Sequence, residues 1–131
     1  MIVAVPDGML IPVIRDADKK PLTQIGKEEH DLAERGRRGA LKPDELTGGT
    51  FTISNLGMLG VDQFTAIIYP PESAILAVGR VADQVVAREG QVVIRPMVAM
   101  TLSSDHRVIY GALAGQFLAR LKQLLENPNF D

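Results

Sequence analysis

The sequence predicts an α+β fold, a two-layer α/β sandwich in which a mostly antiparallel mixed sheet carries packed helices. Three observations predict it. Apolar, β-rich runs recur along most of the chain. Residues 84–88 and 91–95 flank Glu89–Gly90, a two-residue hairpin signal. Residues 109–125 place Leu113, Phe117, Leu121, Leu124 and Leu125 at helical spacing.

The elements follow in order. Residues 2–5 and 9–14 are apolar runs around the turn signal Pro6–Asp7–Gly8, which predicts a buried hairpin. A chain that starts inside such a strand pair leads us to expect further sequence before Met1. Residues 15–20 form a polar turn. From Leu22 to Arg38, helix formers with Leu22, Ile25 and Leu32 near one face predict a weakly amphipathic helix, ended near Gly36 and Gly39. Residues 42–49 read as a loop with room for one helical turn. Residues 50–54 alternate as a strand, which NLGMLGVDQF interrupts at Gly57 and Gly60, glycines suited to unusual backbone angles. Residues 73–81 make an apolar strand after Pro70–Pro71, and residues 97–103 make another that leads into SDHR. Asn127–Pro128 stops the last helix.

Composition narrows the function classes. With 131 residues, 46% of them hydrophobic, the chain suits one domain or a large piece of one. A net charge of -2 and a pI near 5.7 argue against a basic nucleic-acid or membrane-surface binder. No apolar stretch approaches a bilayer span, and MIVAVPDG lacks a cationic leader, so the chain reads as soluble and intracellular, not secreted. With no cysteine, disulfides, thiolate metal sites and a cysteine nucleophile are excluded. Any histidine acid–base chemistry falls to His30 or His106.

No GxGxxG, Walker loop, HExxH or GxSxG is present. EEHD at 28–31 lies on a helix, where consecutive side chains fan out by about 100° and do not converge on a metal. His30 therefore reads as a solvated helix histidine. His106 lies between a strand and a helix, flanked by Asp105 and Arg107, which can tune or orient an imidazole. From spacing alone a capping or packing role is equally open to it. Ser54, at a strand end, reads on its own as satisfying a local backbone group.

TLSSDHRVIYGA (101–112) resembles the DHRxxDG signature of the acyltransferase (E2) components of 2-oxo acid dehydrogenase complexes. GGTFTISNLGMLGVDQFTAII (48–68), PDGMLIPVIRDAD (6–18) and LKPDELTGGT (41–50) resemble the same family in order and spacing. The resemblance covers the whole chain and implies a chloramphenicol acetyltransferase-like fold with its N-terminal part missing. It implies acyl transfer, acetyl for preference, between dihydrolipoamide and coenzyme A. His106 would be the general base and Ser54 the oxyanion-stabilising hydroxyl, with Asp105 and Arg107 holding the loop. The signature's final aspartate is Tyr110 here, which removes the carboxylate often assigned to support the site.

Further expectations follow from the resemblance. Coenzyme A would be a substrate, the lipoyl group would sit on a separate domain, and no metal would be used. Partners would be a homotrimer building a larger core, the lipoyl domain, and the E1 and E3 components reached through domains outside this chain. The setting would be bacterial cytoplasm or an organelle matrix. Two rival readings are a non-catalytic core or assembly subunit and a chloramphenicol-type small-molecule acetyltransferase.

Overall fold

The computed structural model describes residues 1–129. Val3–Val5 (β1) and Gly8–Leu10 (β2) form the expected antiparallel hairpin, with Val5 opposite Gly8, so Pro6 and Asp7 make the turn. The hairpin is less buried than expected. Val3 is buried, but Met9 is 60% exposed. Pro12, which has no N–H for a ladder, follows the end of β2.

Leu22–Arg37 (α1) packs on β1 through Leu32, Ala33 and Gly36. Leu22, at the first position of α1, is exposed. After the helix, Pro43–Leu46 forms the single helical turn anticipated in the loop. Arg35 ties that turn to α1: its guanidinium donates to both oxygens of Glu45 at 2.8 and 2.7 Å and reaches Asp31. Glu45 also accepts the Lys42 backbone N–H. Arg35 holds the Glu45 carboxyl at about 2, well below the ordinary carboxylate range.

The remaining strands are Thr52–Asn55 (β3), Ala74–Val78 (β4), Ala82–Arg88 (β5), Gln91–Met97 (β6) and Met100–Ser104 (β7). β3, β4 and β7 form one sheet in that order, with β3 parallel to β4 and β4 antiparallel to β7. Among the described residues three of the four strand pairings are antiparallel. The sheet is divided rather than single, since β1–β2 and β5–β6 each pair only with themselves. Ile2 nonetheless donates its N–H to the Ile53 carbonyl at 3.3 Å, which sets the N-terminal hairpin beside β3.

The core sits on β4, where Ala74, Ile75, Leu76 and Ala77 are all buried. A fully buried side chain of the size of Ile75 contributes about 1.5–3 kcal/mol. β4 stops at Val78, short of the expected end, because the next backbone groups turn elsewhere. Gly79 donates to the Ala99 carbonyl and Arg80 to the Val61 carbonyl.

β5 and β6 meet at Glu89–Gly90 as expected, both residues in the left-handed region at φ 52° and 76°. Met97 belongs to β6, so β7 begins three residues later than the sequence suggests. Val85, Val92 and Ile94 of the hairpin are exposed.

Gly111–Glu126 (α2) is the predicted C-terminal helix, but its apolar stripe is not buried. Leu113, Phe117, Leu124 and Leu125 are 42–55% exposed. Its aromatic contact is Phe117 on Phe51, ring centroids 5.6 Å apart. Among the described residues no helix is long and apolar enough to cross a membrane.

Candidate active site

The link from β7 to α2 is a tight turn pinned at its base. Asp105 donates its N–H to the Ser73 carbonyl at 2.8 Å, just before β4. Val108 and Ile109 donate theirs back to the Asp105 carbonyl at 3.1 and 2.8 Å. The Asp105 carboxylate accepts the Arg107 backbone N–H at 3.0 Å and grips the guanidinium through both oxygens, the shortest contact 2.6 Å. The guanidinium holds the Asp105 carboxyl at about 2, and the carboxylate raises Arg107 in return. Asp105 is thus engaged by Arg107 and shapes the turn.

His106 stands exposed at the head of this turn. Tyr110 lies against it, the rings 5.6 Å apart and inclined at 76°, an edge-to-face contact. Four of the residues singled out in the sequence, Asp105, His106, Arg107 and Tyr110, are therefore brought together.

Ser54 is elsewhere. The alternation of β3 turns Thr52 and Ser54 inward and Ile53 outward. Ser54 is 6% exposed. Ser54 is level with Ala77 and Thr101, whereas the histidine turn leaves the sheet at Ser104, level with Ala74. Three residues along the strands and two strand spacings across them separate Ser54 from Ser104 by about 14 Å. On this estimate Ser54 and the start of the histidine turn lie apart within one chain.

Sequence reasoning passed over Thr52, which is 1% exposed and donates its hydroxyl to Glu72 at 2.6 Å. The alternation in TFTIS, which puts Thr52 and Ser54 on one face, is the signal that could have found it. Just beyond Ser54, Leu56 donates to the Val78 carbonyl and the Asn55 side chain accepts the Gly57 N–H at 2.9 Å. Gly60 takes the left-handed conformation expected of it, φ 80°. Gly57 does not. Its requirement is close approach, since a Cβ there would lie 2.8 Å from the Gly79 carbonyl oxygen. These contacts fix the end of β3 that presents Ser54.

An open cavity of about 780 Å³ is lined by Val13, Arg15, Gly48–Ile53 and Glu72, and neither Ser54 nor His106 faces it. His30 is exposed on α1. Among the described residues no three His, Asp or Glu side chains are grouped to hold a metal ion.

Residues 1–130 match the family of 2-oxoacid dehydrogenases acyltransferase (catalytic domain). The chain is 51% identical over 98% of its length to the mitochondrial dihydrolipoyllysine-residue acetyltransferase component of the pyruvate dehydrogenase complex of Schizosaccharomyces pombe, of which it covers 27%. It is 48% identical over 96% of its length to the succinyltransferase component of the 2-oxoglutarate dehydrogenase complex of Haemophilus influenzae, of which it covers 31%. A solved structure of Azotobacter vinelandii dihydrolipoamide acetyltransferase superposes with a TM-score of 0.93 at 44% identity, over 96% of this chain and 52% of that one. That structure belongs to investigations of a serine, a histidine and an asparagine in the enzyme's catalytic mechanism. The chain thus spans under a third of these two curated relatives and about half of the solved chain.

Proposed function

The chain belongs to the 2-oxoacid dehydrogenase acyltransferase (catalytic domain) family, and we propose that it transfers an acyl group between dihydrolipoamide and coenzyme A, with His106 as base and Ser54 as oxyanion donor. One observation carries the residue assignment. The serine and histidine of the A. vinelandii mechanism are 52 positions apart, and so are Ser54 and His106. The asparagine of that mechanism lies four positions past its histidine, where this chain has Tyr110.

The chemistry follows from these groups. The thiol of coenzyme A, with a pKa of about 8.5, is mostly protonated at neutral pH and attacks poorly. The imidazole of His106, exposed on its turn, removes that proton. The thiolate adds to the thioester carbonyl of acyl-dihydrolipoamide, and the tetrahedral oxyanion takes a hydrogen bond from the Ser54 hydroxyl. Collapse of the intermediate expels the dihydrolipoyl thiolate, which His106 reprotonates. No acyl-enzyme forms, so no serine or cysteine nucleophile is required. The lipoyl group arrives on a separate domain.

The distance between Ser54 and His106 supports a composite site, with Ser54 from one copy and His106 from the next in a homotrimer. Such trimers would build a larger core, and the E1 and E3 components would attach through other domains. Acetyl is the acyl group we assign, because the A. vinelandii acetyltransferase likewise lacks the signature's aspartate at the position of Tyr110.

The test is acetyl transfer from acetyl-coenzyme A to free dihydrolipoamide, comparing the chain with its His106→Ala variant. A loss of about 10²–10⁴ in kcat supports the base. Equal turnover in the two would remove His106 from the mechanism. Absence of transfer by the parent chain would leave two readings, a piece that needs more of its relatives' length and a non-catalytic core subunit, and the same assay on a chain extended to that length separates them.

A further inference from the structure

We propose that Tyr110 is a positioning residue whose ring holds the His106 imidazole, and that α2 goes without a side-chain N-cap to keep this contact. The inference rests on the reading of His106 as the base.

Two observations converge on the residue. Tyr110 occupies the N-cap of α2, φ -76° and ψ 156°, and its side chain makes no capping hydrogen bond. Asp, Asn, Ser and Thr are preferred there because their short oxygens satisfy a free backbone N–H of the first helical turn. A phenol cannot fold back to do so. The helix therefore begins, as α1 does at Pro21, without the stabilisation of a side-chain cap. The compensation visible in the structure is the ring of His106, set edge-to-face at 5.6 Å.

The imidazole has few other restraints. Among the described residues no side chain hydrogen-bonds to it. The neighbouring carboxylate, Asp105, is taken up by Arg107. The turn fixes the backbone of His106 through the bonds from Val108 and Ile109 to the Asp105 carbonyl, but leaves the ring free to rotate. A ring packed four residues later limits that rotation. Where a carboxamide or carboxylate would direct the imidazole by a hydrogen bond, Tyr110 directs it by shape and by the quadrupole of its π-system.

The test compares Tyr110→Ser and Tyr110→Phe with the parent chain. Serine restores a cap and removes the ring; phenylalanine keeps the ring. The first readout is the NMR resonances of the His106 ring protons, which need no turnover. We expect a ring-current displacement in the parent and in Tyr110→Phe, and its loss in Tyr110→Ser. The second readout is Tm, which rises in Tyr110→Ser because the helix gains a cap. The third is kcat, which falls about two- to tenfold in Tyr110→Ser, the range such an aromatic pair is worth, with KM unchanged and with Tyr110→Phe near the parent.

Unchanged His106 resonances in Tyr110→Ser would overturn the proposal, as would a Tyr110→Ser chain that is both more stable and equally active. Failure of the His106 assignment shows separately, as equal turnover in His106→Ala.

Discussion

The two halves of the proposed site are held in opposite ways. Ser54 lies within a strand beside the most buried strand of the molecule, and the segment after it is bonded back to β4 at Val78. His106 stands on an exposed turn, steadied by one ion pair and one aromatic contact. An oxyanion donor has to be in place before charge develops, so a rigid setting serves it. A base must take a proton in one step and return it in another, and limited ring freedom serves that. The difference is one of setting: Ser54 lies inside the sheet, whereas the histidine turn leaves it just beyond the bond from Asp105 to the Ser73 carbonyl.

The sharpest way to test this contrast is to remove each group. Beside the loss expected for His106→Ala, Ser54→Ala should lower kcat by about 10²–10³ without unfolding the chain, measured by the same acetyl-transfer assay. Mixing the two variants sharpens the comparison further. If each site draws Ser54 from one copy and His106 from another, subunit exchange restores intact junctions, and activity climbs well above the sum of the separate variants. Unchanged additive activity after confirmed exchange would argue that both groups come from one chain.

Stability should follow the same division. Ile75→Ala, at the centre of β4, should cost about 2–5 kcal/mol in denaturant unfolding. Leu124→Ala, on the exposed stripe of α2, should stay within about 0.5 kcal/mol in the isolated chain. A cost for Leu124→Ala that grows with protein concentration would show that assembly covers the stripe.

The smallest effect concerns acid. Arg35 lowers the carboxyl of Glu45 to about 2 from an ordinary value near 4.5. A depressed carboxyl stabilises the fold above its ordinary pKa, and that contribution fades as the pH falls from about 4.5 towards about 2. Denaturant midpoints between pH 6 and pH 2.5 should therefore fall less steeply in Glu45→Gln than in the parent chain.

Much of the architecture was legible because it is local. Glu89–Gly90 announced its hairpin through backbone conformations that few residues adopt, and α1 and α2 announced themselves through apolar spacing. The family motifs pointed to Ser54 and His106 in the same way, as short strings. What escaped depends on contacts between distant segments. The early end of β4 follows from Val61 and Ala99 accepting its next N–H groups. Gly57 is dictated by the Gly79 carbonyl across the sheet, and the burial of Thr52 by Glu72, twenty residues away. The apolar spacing of α2 predicted the helix correctly but not how exposed its stripe is, because periodicity records which face would be covered and not whether a cover is present. The separation of Ser54 from His106 follows only from strand register.

The parallel pairing of β3 with β4 has a consequence for the order of folding. Parallel neighbours cannot be joined by a tight turn, and residues 56–73 must be looped out before Thr52 can meet Ile75. The β5–β6 hairpin needs only its two-residue turn and should close in about 1–10 μs, while pairings distant in sequence form later because loop closure precedes their contacts. The strand bearing Ser54 therefore comes into register late, once β4 has a surface to receive it. On refolding, the β5–β6 hairpin would be present as local structure before the serine has any fixed place.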